Sequence, residues 1–485
     1  MSQIFVMKKN EAVVQISCDE GVAQELSDYF AFFSPGYQYQ PLYKHGLWDG
    51  KIRLFDRRFS TLPGGLVPYL SQFAKDRQYP IIIDETILLT TNLSLLEART
   101  FAESLRLPVT PYDHQIEAFT KGIRTRRGLI LSPTSSGKSL LIYLLVRFLQ
   151  QSHRKGVIIV PTTSLVEQLY KDFESYGWDA YKHVHRIYAG KEKQTNHFVT
   201  ITTWQSLALQ PSEYLAQFDF VIGDEAHGFK AKSLSKIMLN LINADVRIGT
   251  TGTLDGTKTH KLVLEGLFGP VFQSTTTKEL MNKGIISDLK IKCLVLKYPE
   301  EFRQQHRKDD YQTEYTSVIT HPARMKFIRN LALSLQGNTL ILFQLVEKHG
   351  KPMYDDLISH ANKHQIHFVH GKVDTEDREL IRGFVETSDT AIVVASYGTF
   401  STGINIRNLH NVIFAAPSKA RIRNLQSIGR GLRKADGKAY ATLFDVVDDL
   451  RIGKHENFLL QHFIERAKIY NEEKFSFQQY HVELI

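Results

Sequence analysis

The 485-residue sequence predicts an α/β protein: two lobes built on parallel sheets, a small α+β domain in front of them and a short helical segment behind. Three observations lead there. Through the middle of the chain, short apolar runs of strand length alternate with helix-like patterns, in two successive series. The stretch 29–59 has another texture, with ten aromatic residues among 31. The tail 451–485 carries one amphipathic pattern.

The first series contains GLIL (128–131), VIIV (157–160), VTIT (199–202), FVI (220–222) and VRIG (246–249). The second contains TLILF (339–343), HFV (367–369), AIVVA (391–395), VIFA (412–415) and ATLF (441–444). Runs of this kind with no polar face suit strands covered on both sides, with crossover helices between them. Over 164–177, Leu165, Val166, Leu169 and Phe173 share one helical face and Gly177 stops the helix. Gly284 interrupts a polar stretch and sets the seam between the lobes. The expected domains are therefore 1–108, 109–283, 284–450 and 451–485. The polar segment 298–320 reads as an excursion or an exposed helix. Turn signals at Ser34-Pro35-Gly36, Trp48-Asp49-Gly50 and Pro63-Gly64-Gly65 divide the N-terminal domain into short alternating runs. Its aromatics Phe30, Phe33, Trp48 and Phe55 are expected to fill a small core. In the tail, Leu459, Leu460, Phe463, Ile464 and Ala467 lie on one side of a helix.

Composition narrows the class. A hydrophobic fraction of 42% with 23% charged residues excludes a wholly disordered chain. No apolar run reaches the roughly 18 residues of a membrane span, so no membrane partner is expected. The start, MSQIFVMKKN, does not read as a secretory signal. The cysteines are Cys18 and Cys293, which excludes a disulfide framework or a zinc ribbon and suits a cytoplasmic setting. The pairs His183/His185 and His360/His364 have no third ligand nearby in sequence, and no zinc is assigned. The net charge is +9; residues 1–108 balance at −1, so a polyanion-binding surface belongs in 109–450.

Three motifs carry chemistry. Ser132-Pro133-Thr134-Ser135-Ser136-Gly137-Lys138-Ser139 follows a strand and opens an apolar helix, the order a phosphate loop needs. Backbone N–H groups of Thr134–Gly137 would cradle phosphates, Lys138 would reach the β- and γ-phosphates of ATP, and the Ser139 hydroxyl would ligate Mg²⁺. Glycine is the stricter choice where Ser132 stands. Asp224-Glu225-Ala226-His227 follows the FVI strand. A strand's C-terminal end is where such sheets place ligands, so Asp224 suits the Mg²⁺ shell and Glu225 suits a base for the attacking water. Gln426-Ser427-Ile428-Gly429-Arg430-Gly431-Leu432-Arg433 lies in the second series. Arg430 and Arg433 share a helical face and could act as arginine fingers. Each motif alone has a plainer reading: an ordinary strand-turn-helix, a solvated acidic turn, a basic surface helix. Their order is the stronger observation.

In that order the chain resembles a superfamily-two helicase with two RecA-like lobes, over about 109–450. The resemblance implies further roles. Tyr112 and Gln115 would read adenine, and Gly403 and Gln426 would complete the ATP site. Pro161, Thr162, Thr203 and Trp204 in the first lobe, with Thr399 and Ser401 in the second, would contact the DNA strand. His227 and Thr251-Gly252-Thr253 would couple nucleotide state to DNA. Asn405 stands where an acid is frequent, which departs from the family's ribose contact.

His45-Gly46-Leu47-Trp48-Asp49-Gly50-Lys51-Ile52-Arg53-Leu54 and Leu62-Pro63-Gly64-Gly65-Leu66-Val67 are similar to the N-terminal domain of UvsW-type phage recombination helicases, as are Gly266–Pro270 and Glu473-Lys474-Phe475. That resemblance implies an ATP-dependent motor on branched or forked DNA: Holliday junctions, displacement loops, stalled forks and RNA–DNA hybrid loops. It implies work as a monomer in the host cytoplasm, beside single-strand-binding or recombination proteins. Three alternatives stay open at this stage: a duplex translocase without strand separation, an RNA helicase, and a strand-annealing protein.

Overall fold

Val157–Val160 and Leu340–Phe343 have no residue to offer water, and each run lies buried inside a sheet. Burial of such strands is what holds each lobe together, at roughly 25 cal/mol per Å² of apolar surface removed from water. The computed structural model describes residues 3–34, 36–188, 196–228, 231–254, 257–361, 363–399, 406, 408–416, 420, 428–429 and 440–484. The chain divides into two compact units, Met1–Ser132 with Gly137–Ser274, and Thr275–Ile485 with Pro133–Ser136.

The first unit holds a parallel sheet of seven strands among the described residues. Their order is Val271–Gln273, Arg127–Leu131, Val246–Thr251, Phe220–Gly223, Gly156–Val160, Val199–Thr203, Val184–Ile187. The helix Lys138–Gln150 is buried almost all round from Leu140 to Val146, as a central crossover helix should be. The helix Thr163–Ser175 starts where the Thr162 hydroxyl accepts from Leu165 N–H, and it stops before Gly177 at φ +85°. Arg247, fully buried, donates to the carbonyls of Met238 and Ala244 at 2.9 Å and to that of Leu241. It thus satisfies the C-terminal carbonyls around the helix Ala231–Asn240.

The N-terminal α+β domain belongs to this unit. Its mixed sheet runs Thr61–Pro63, Val13–Ser17, Ile4–Lys8, Ile81–Ile83, beside a small hairpin of Ala31–Phe33 and Lys51–Arg53. Phe30 and Phe55 are in its core, but Phe33 is half exposed and Trp48 is only partly buried. The hairpin is too thin to cover them. The domain packs on the helix Lys258–Phe268: Leu262 joins its core, and Tyr69 Oη donates to Glu265 at 2.7 Å. Gly65 makes that fit possible, because a Cβ there would lie 2.0 Å from the Glu265 carbonyl oxygen.

The second unit holds another parallel sheet of seven strands among the described residues. Their order is Gln365–Val369, Ala391–Ser396, Thr339–Phe343, Asn411–Phe414, Tyr440–Asp449, Asp288–Lys297, Phe477–Glu483. Three expectations are corrected here. The unit begins at Thr275, not 284, because Leu280 and Met281 of the helix Thr277–Asn282 pack in its core. The segment 298–320 is no irregular excursion, and it is an exposed helix only in its first part, since Glu300–Gln305 buries no residue whereas Glu314, Tyr315, Val318 and Ile319 are buried. It forms the helices Glu300–Gln305 and Tyr311–Ile319, and buried Glu314 accepts from Phe458 and Leu459 N–H at the start of the helix Phe458–Glu472. The tail is not helical throughout either: its last strand, Phe477–Glu483, pairs with Asp288–Lys297 at the sheet's edge.

His349 is fully buried in this unit, and neither ring nitrogen has a hydrogen-bond partner among the described residues. Burial, with Arg324 nearby, pushes its pKa down to about 3. The unfolded chain therefore binds the extra proton from about pH 6.5 downward, and the folded one does not until about 3. Stability is expected to fall with pH across that window, by up to about 1.4 kcal/mol per pH unit from this group. Denaturant titrations at pH 7 and pH 5 should show the loss, and His349→Leu should flatten it.

Candidate functional site

The strand Arg127–Leu131 runs into the turn 132–137, where Ser135 (φ +69°) and Gly137 (φ +81°) adopt left-handed backbone. Turns of that kind turn successive N–H groups toward one concavity, which suits an anion. A Cβ on Gly137 would lie 2.2 Å from Gln115 Nε2, which donates to the Gly137 carbonyl at 3.0 Å, so a side chain there would push Gln115 out of that bond. Gln115 in turn accepts from Tyr112 N–H at 2.8 Å, so Tyr112 and Gln115 are tied to the loop as a unit. Ser136 Oγ closes the turn on the Pro133 carbonyl.

Parallel neighbours bring the acidic motif alongside. The strand Phe220–Gly223 lies one strand away from Arg127–Leu131, with Val246–Thr251 between them. Lys138 Nζ lies 3.4 Å from Glu225 Oε1 and 3.3 Å from the Ser132 carbonyl. Asp224 Oδ1 accepts from Thr250 Oγ1 at 2.7 Å and from Glu225 N–H at 2.9 Å. Burial and then the adjacent Glu225 push the Asp224 pKa up to about 6, against the pull of Lys138. Glu225 itself sits at φ +49°, a strained backbone for a non-glycine residue. His227 Nδ1 is 2.6 Å from Thr251 Oγ1 and 3.4 Å from Glu225 Oε2, and Thr251 Oγ1 donates to the Thr253 carbonyl. The acidic motif and Thr251-Gly252-Thr253 are thereby in direct contact.

The donor set fits ATP with Mg²⁺. A serine hydroxyl and a carboxylate are hard oxygen ligands, and the loop ahead of Ser139 offers N–H groups and a lysine to phosphate. Among the described residues Lys138 is the cation that pulls the Asp224 pKa down, against the push of burial and Glu225, and a divalent ion would add positive charge there.

The DNA candidates of the first lobe also meet. The strands Gly156–Val160 and Val199–Thr203 are parallel neighbours, so Pro161-Thr162 and Thr203-Trp204 emerge side by side, and Gln205 Nε2 reaches the Pro161 carbonyl. Pro161 and Thr162 are partly open. Thr203 is buried instead and accepts from Ser206 N–H, and Trp204 packs partly on the apolar layer below. In the second unit Thr399 is buried against Ser396 Oγ at 2.8 Å. Arg430, Arg433, Gly403, Ser401 and Gln426 lie outside the described residues. Two contacts have no counterpart in the sequence reading: Thr250 on Asp224, and Tyr176 Oη, 2.9 Å from Ser139 Oγ. Thr250 precedes a quoted motif by one residue; Tyr176 carries no local signal.

Known proteins place this geometry. A model of the family "DNA helicase UvsW, N-terminal" matches residues 3–84, one for "Type III restriction enzyme, res subunit" matches 108–256, and one for "Helicase conserved C-terminal domain" matches 323–435. The ATP-dependent DNA helicase uvsW of Enterobacteria phage T4 is 35% identical, over 96% of this chain and 96% of that protein. The chain belongs to the UvsW helicase family. The crystal structure of T4 UvsW matches the whole UvsW-family chain described here at 33% identity and a TM-score of 0.53. A DNA 3'-5' translocase XPB2 from Sulfurisphaera tokodaii is 23% identical over 67% of the chain and 79% of that protein. A DNA-bound type ISP restriction-modification enzyme, LlaBIII, shares the fold at 15% identity and a TM-score of 0.57, covering 84% of this chain and 34% of that one. The two parallel-sheet lobes are thus the RecA-like pair of a UvsW-family helicase.

Proposed function

We propose that the chain is an ATP-dependent DNA helicase that unwinds or migrates branched DNA — Holliday junctions, displacement loops, RNA–DNA loops and stalled forks — in phage recombination, repair and replication. The observation that carries this reading is the meeting of Lys138 and Glu225 at 3.4 Å, beside Asp224, with Pro161 at the end of the adjacent strand and Thr203 at the end of the next. In this assignment Thr134–Gly137 and Lys138 hold phosphate, and Tyr112 and Gln115 face the base. Glu225 accepts a proton from the attacking water, while Thr250 keeps the Asp224 carboxylate oriented. Bound Mg²⁺ supplies positive charge to the phosphates, held by Ser139 and Asp224. His227 and Thr251 pass a change at Glu225 to the neighbouring strand end through their 2.6 Å contact. Binding through phosphates makes affinity salt-sensitive and largely indifferent to sequence. The host cytoplasm is the proposed setting; no helix among the described residues is long and apolar enough to cross a membrane.

A panel of fork, junction, displacement-loop, RNA–DNA and linear substrates tests this. ATP-dependent remodelling of the branched forms is expected. Displacement of a triplex strand without duplex separation would instead favour a translocase, and stimulation by RNA alone an RNA helicase.

The N-terminal domain is proposed to touch the branch point. Of the basic residues in this patch, Arg53 pairs with Asp49, Arg57 with Glu20, Lys51 lies over the Phe33 ring and Arg58 over the Phe59 ring; Lys44 and Arg58 are exposed and in none of these ion pairs. Lys44→Glu with Arg58→Glu is expected to weaken forked DNA more than linear duplex, by several-fold in Kd. Equal loss on both, measured by fluorescence anisotropy, would argue against branch recognition.

A further inference from the structure

We propose that Tyr176 is a positioning residue for the Ser139 hydroxyl, holding it in the orientation that Mg²⁺·nucleotide requires. The inference rests on the assignment of Ser139 as a metal ligand, and it adds a residue that no part of that assignment contains. Tyr176 Oη lies 2.9 Å from Ser139 Oγ; Ser139 is on the helix Lys138–Gln150 and Tyr176 caps the helix Thr163–Ser175, both in the first unit.

A serine hydroxyl has one hydrogen and two lone pairs. In a phosphate loop one lone pair faces the metal and the hydrogen faces a phosphate oxygen, which leaves one lone pair. A neutral phenol can donate into it, and doing so fixes the torsion about the serine Cβ–Oγ bond. Lysine or arginine at the same place would repel the metal, whereas a phenol carries no charge at neutral pH.

The phenol is well anchored for this. Tyr176 ends the helix Thr163–Ser175, its N–H bonded to the Asp172 carbonyl, and Gly177 then turns the chain away at φ +85°. Its ring packs 5.2 Å from that of Tyr143, which lies one turn beyond Ser139 on the helix Lys138–Gln150. Tyr143 packs in turn on Trp178 and Phe173. The aromatic cluster thus sets the spacing between the two helices, and the hydroxyl is the polar group it delivers to Ser139.

Tyr176→Phe removes that hydroxyl and keeps the ring. Binding of a fluorescent ADP analogue is followed as Mg²⁺ is titrated, alongside the same titration without Mg²⁺ in EDTA, in the full chain with wild-type, Tyr176→Phe, Ser139→Ala and the double variant. One hydrogen bond lost should raise the Mg²⁺ concentration for half-maximal binding about 3- to 10-fold, with metal-free binding unchanged. Ser139→Ala should lose most of the Mg²⁺ dependence, and Tyr176→Phe should add nothing in that background. If Ser139→Ala loses the dependence but Tyr176→Phe titrates like the wild type, the positioning role is overturned. A Tyr176→Phe shift that persists in the Ser139→Ala background also overturns it, since the effect would not pass through Ser139. If Ser139→Ala itself titrates like the wild type, the metal-site assignment falls and the positioning role with it.

Discussion

Glu225→Gln is expected to lower DNA-stimulated ATP hydrolysis by roughly 10²–10⁴-fold, the range typical of removing a general base. The substitution keeps the size of the side chain and its place 3.4 Å from Lys138, so nucleotide binding should survive. What it removes is the carboxylate that takes a proton from water. DNA binding should change little, because the paired strand ends at Pro161 and Thr203 do not use Glu225. Lys138→Ala should lose hydrolysis as well, but through phosphate affinity, and so should raise the ATP concentration needed for binding. Steady-state hydrolysis on forked DNA, with anisotropy for DNA and a fluorescent nucleotide for ATP, separates the two variants. Full hydrolysis by Glu225→Gln would remove the assignment of the base.

The second large effect is structural. Gly65→Val is expected to unseat the N-terminal domain, at a cost of about 3 kcal/mol or more, the upper part of the range for overpacking. Even a Cβ at this position meets the Glu265 carbonyl at 2.0 Å, the Gly266 carbonyl at 2.8 Å and the Gly269 nitrogen at 3.0 Å. All three are backbone atoms and cannot rotate away. Gly64→Ala is the contrasting control, since its Cβ would meet only ordinary contacts at 3.5–3.6 Å. Thermal melting should show a lowered or split transition for Gly65→Val and a near-wild-type one for Gly64→Ala. Limited proteolysis should find new cleavage between the domain and the first sheet in Gly65→Val alone.

The two lobes were legible because their central strands are continuous apolar runs, such as Val157–Val160 and Thr339–Phe343, buried on both faces. The strands that escaped reading lack that signature. Val184–Ile187 and Phe477–Glu483 are edge strands with polar residues on their open sides, and Val271–Gln273 has three residues. Asp288–Lys297 starts with polar alternation, which a seam would also show. Glu314 looked like one more charge on a polar segment until the helix it caps was in place. Within the site, the loop, the acidic motif and Thr251–Thr253 were each legible as local strings. Thr250 on Asp224 and Tyr176 on Ser139 were not, since they are contacts across 26 and 37 residues that follow from sheet order and helix packing. Nor does a motif, which records residue type, show that Thr203 and Thr399 are buried, the Thr203 hydroxyl accepting from Ser206 N–H and the Thr399 hydroxyl lying 2.8 Å from Ser396 Oγ.

The docking of the N-terminal domain through Gly65, Tyr69 and Leu262 has a practical use. Leu47, 75% exposed near the tip of the hairpin excursion, offers a place for a dye that leaves that seam untouched. A fluorophore on Leu47→Cys would follow the first sheet as a passenger, giving energy-transfer measurements a fixed handle on that half of the enzyme while it walks.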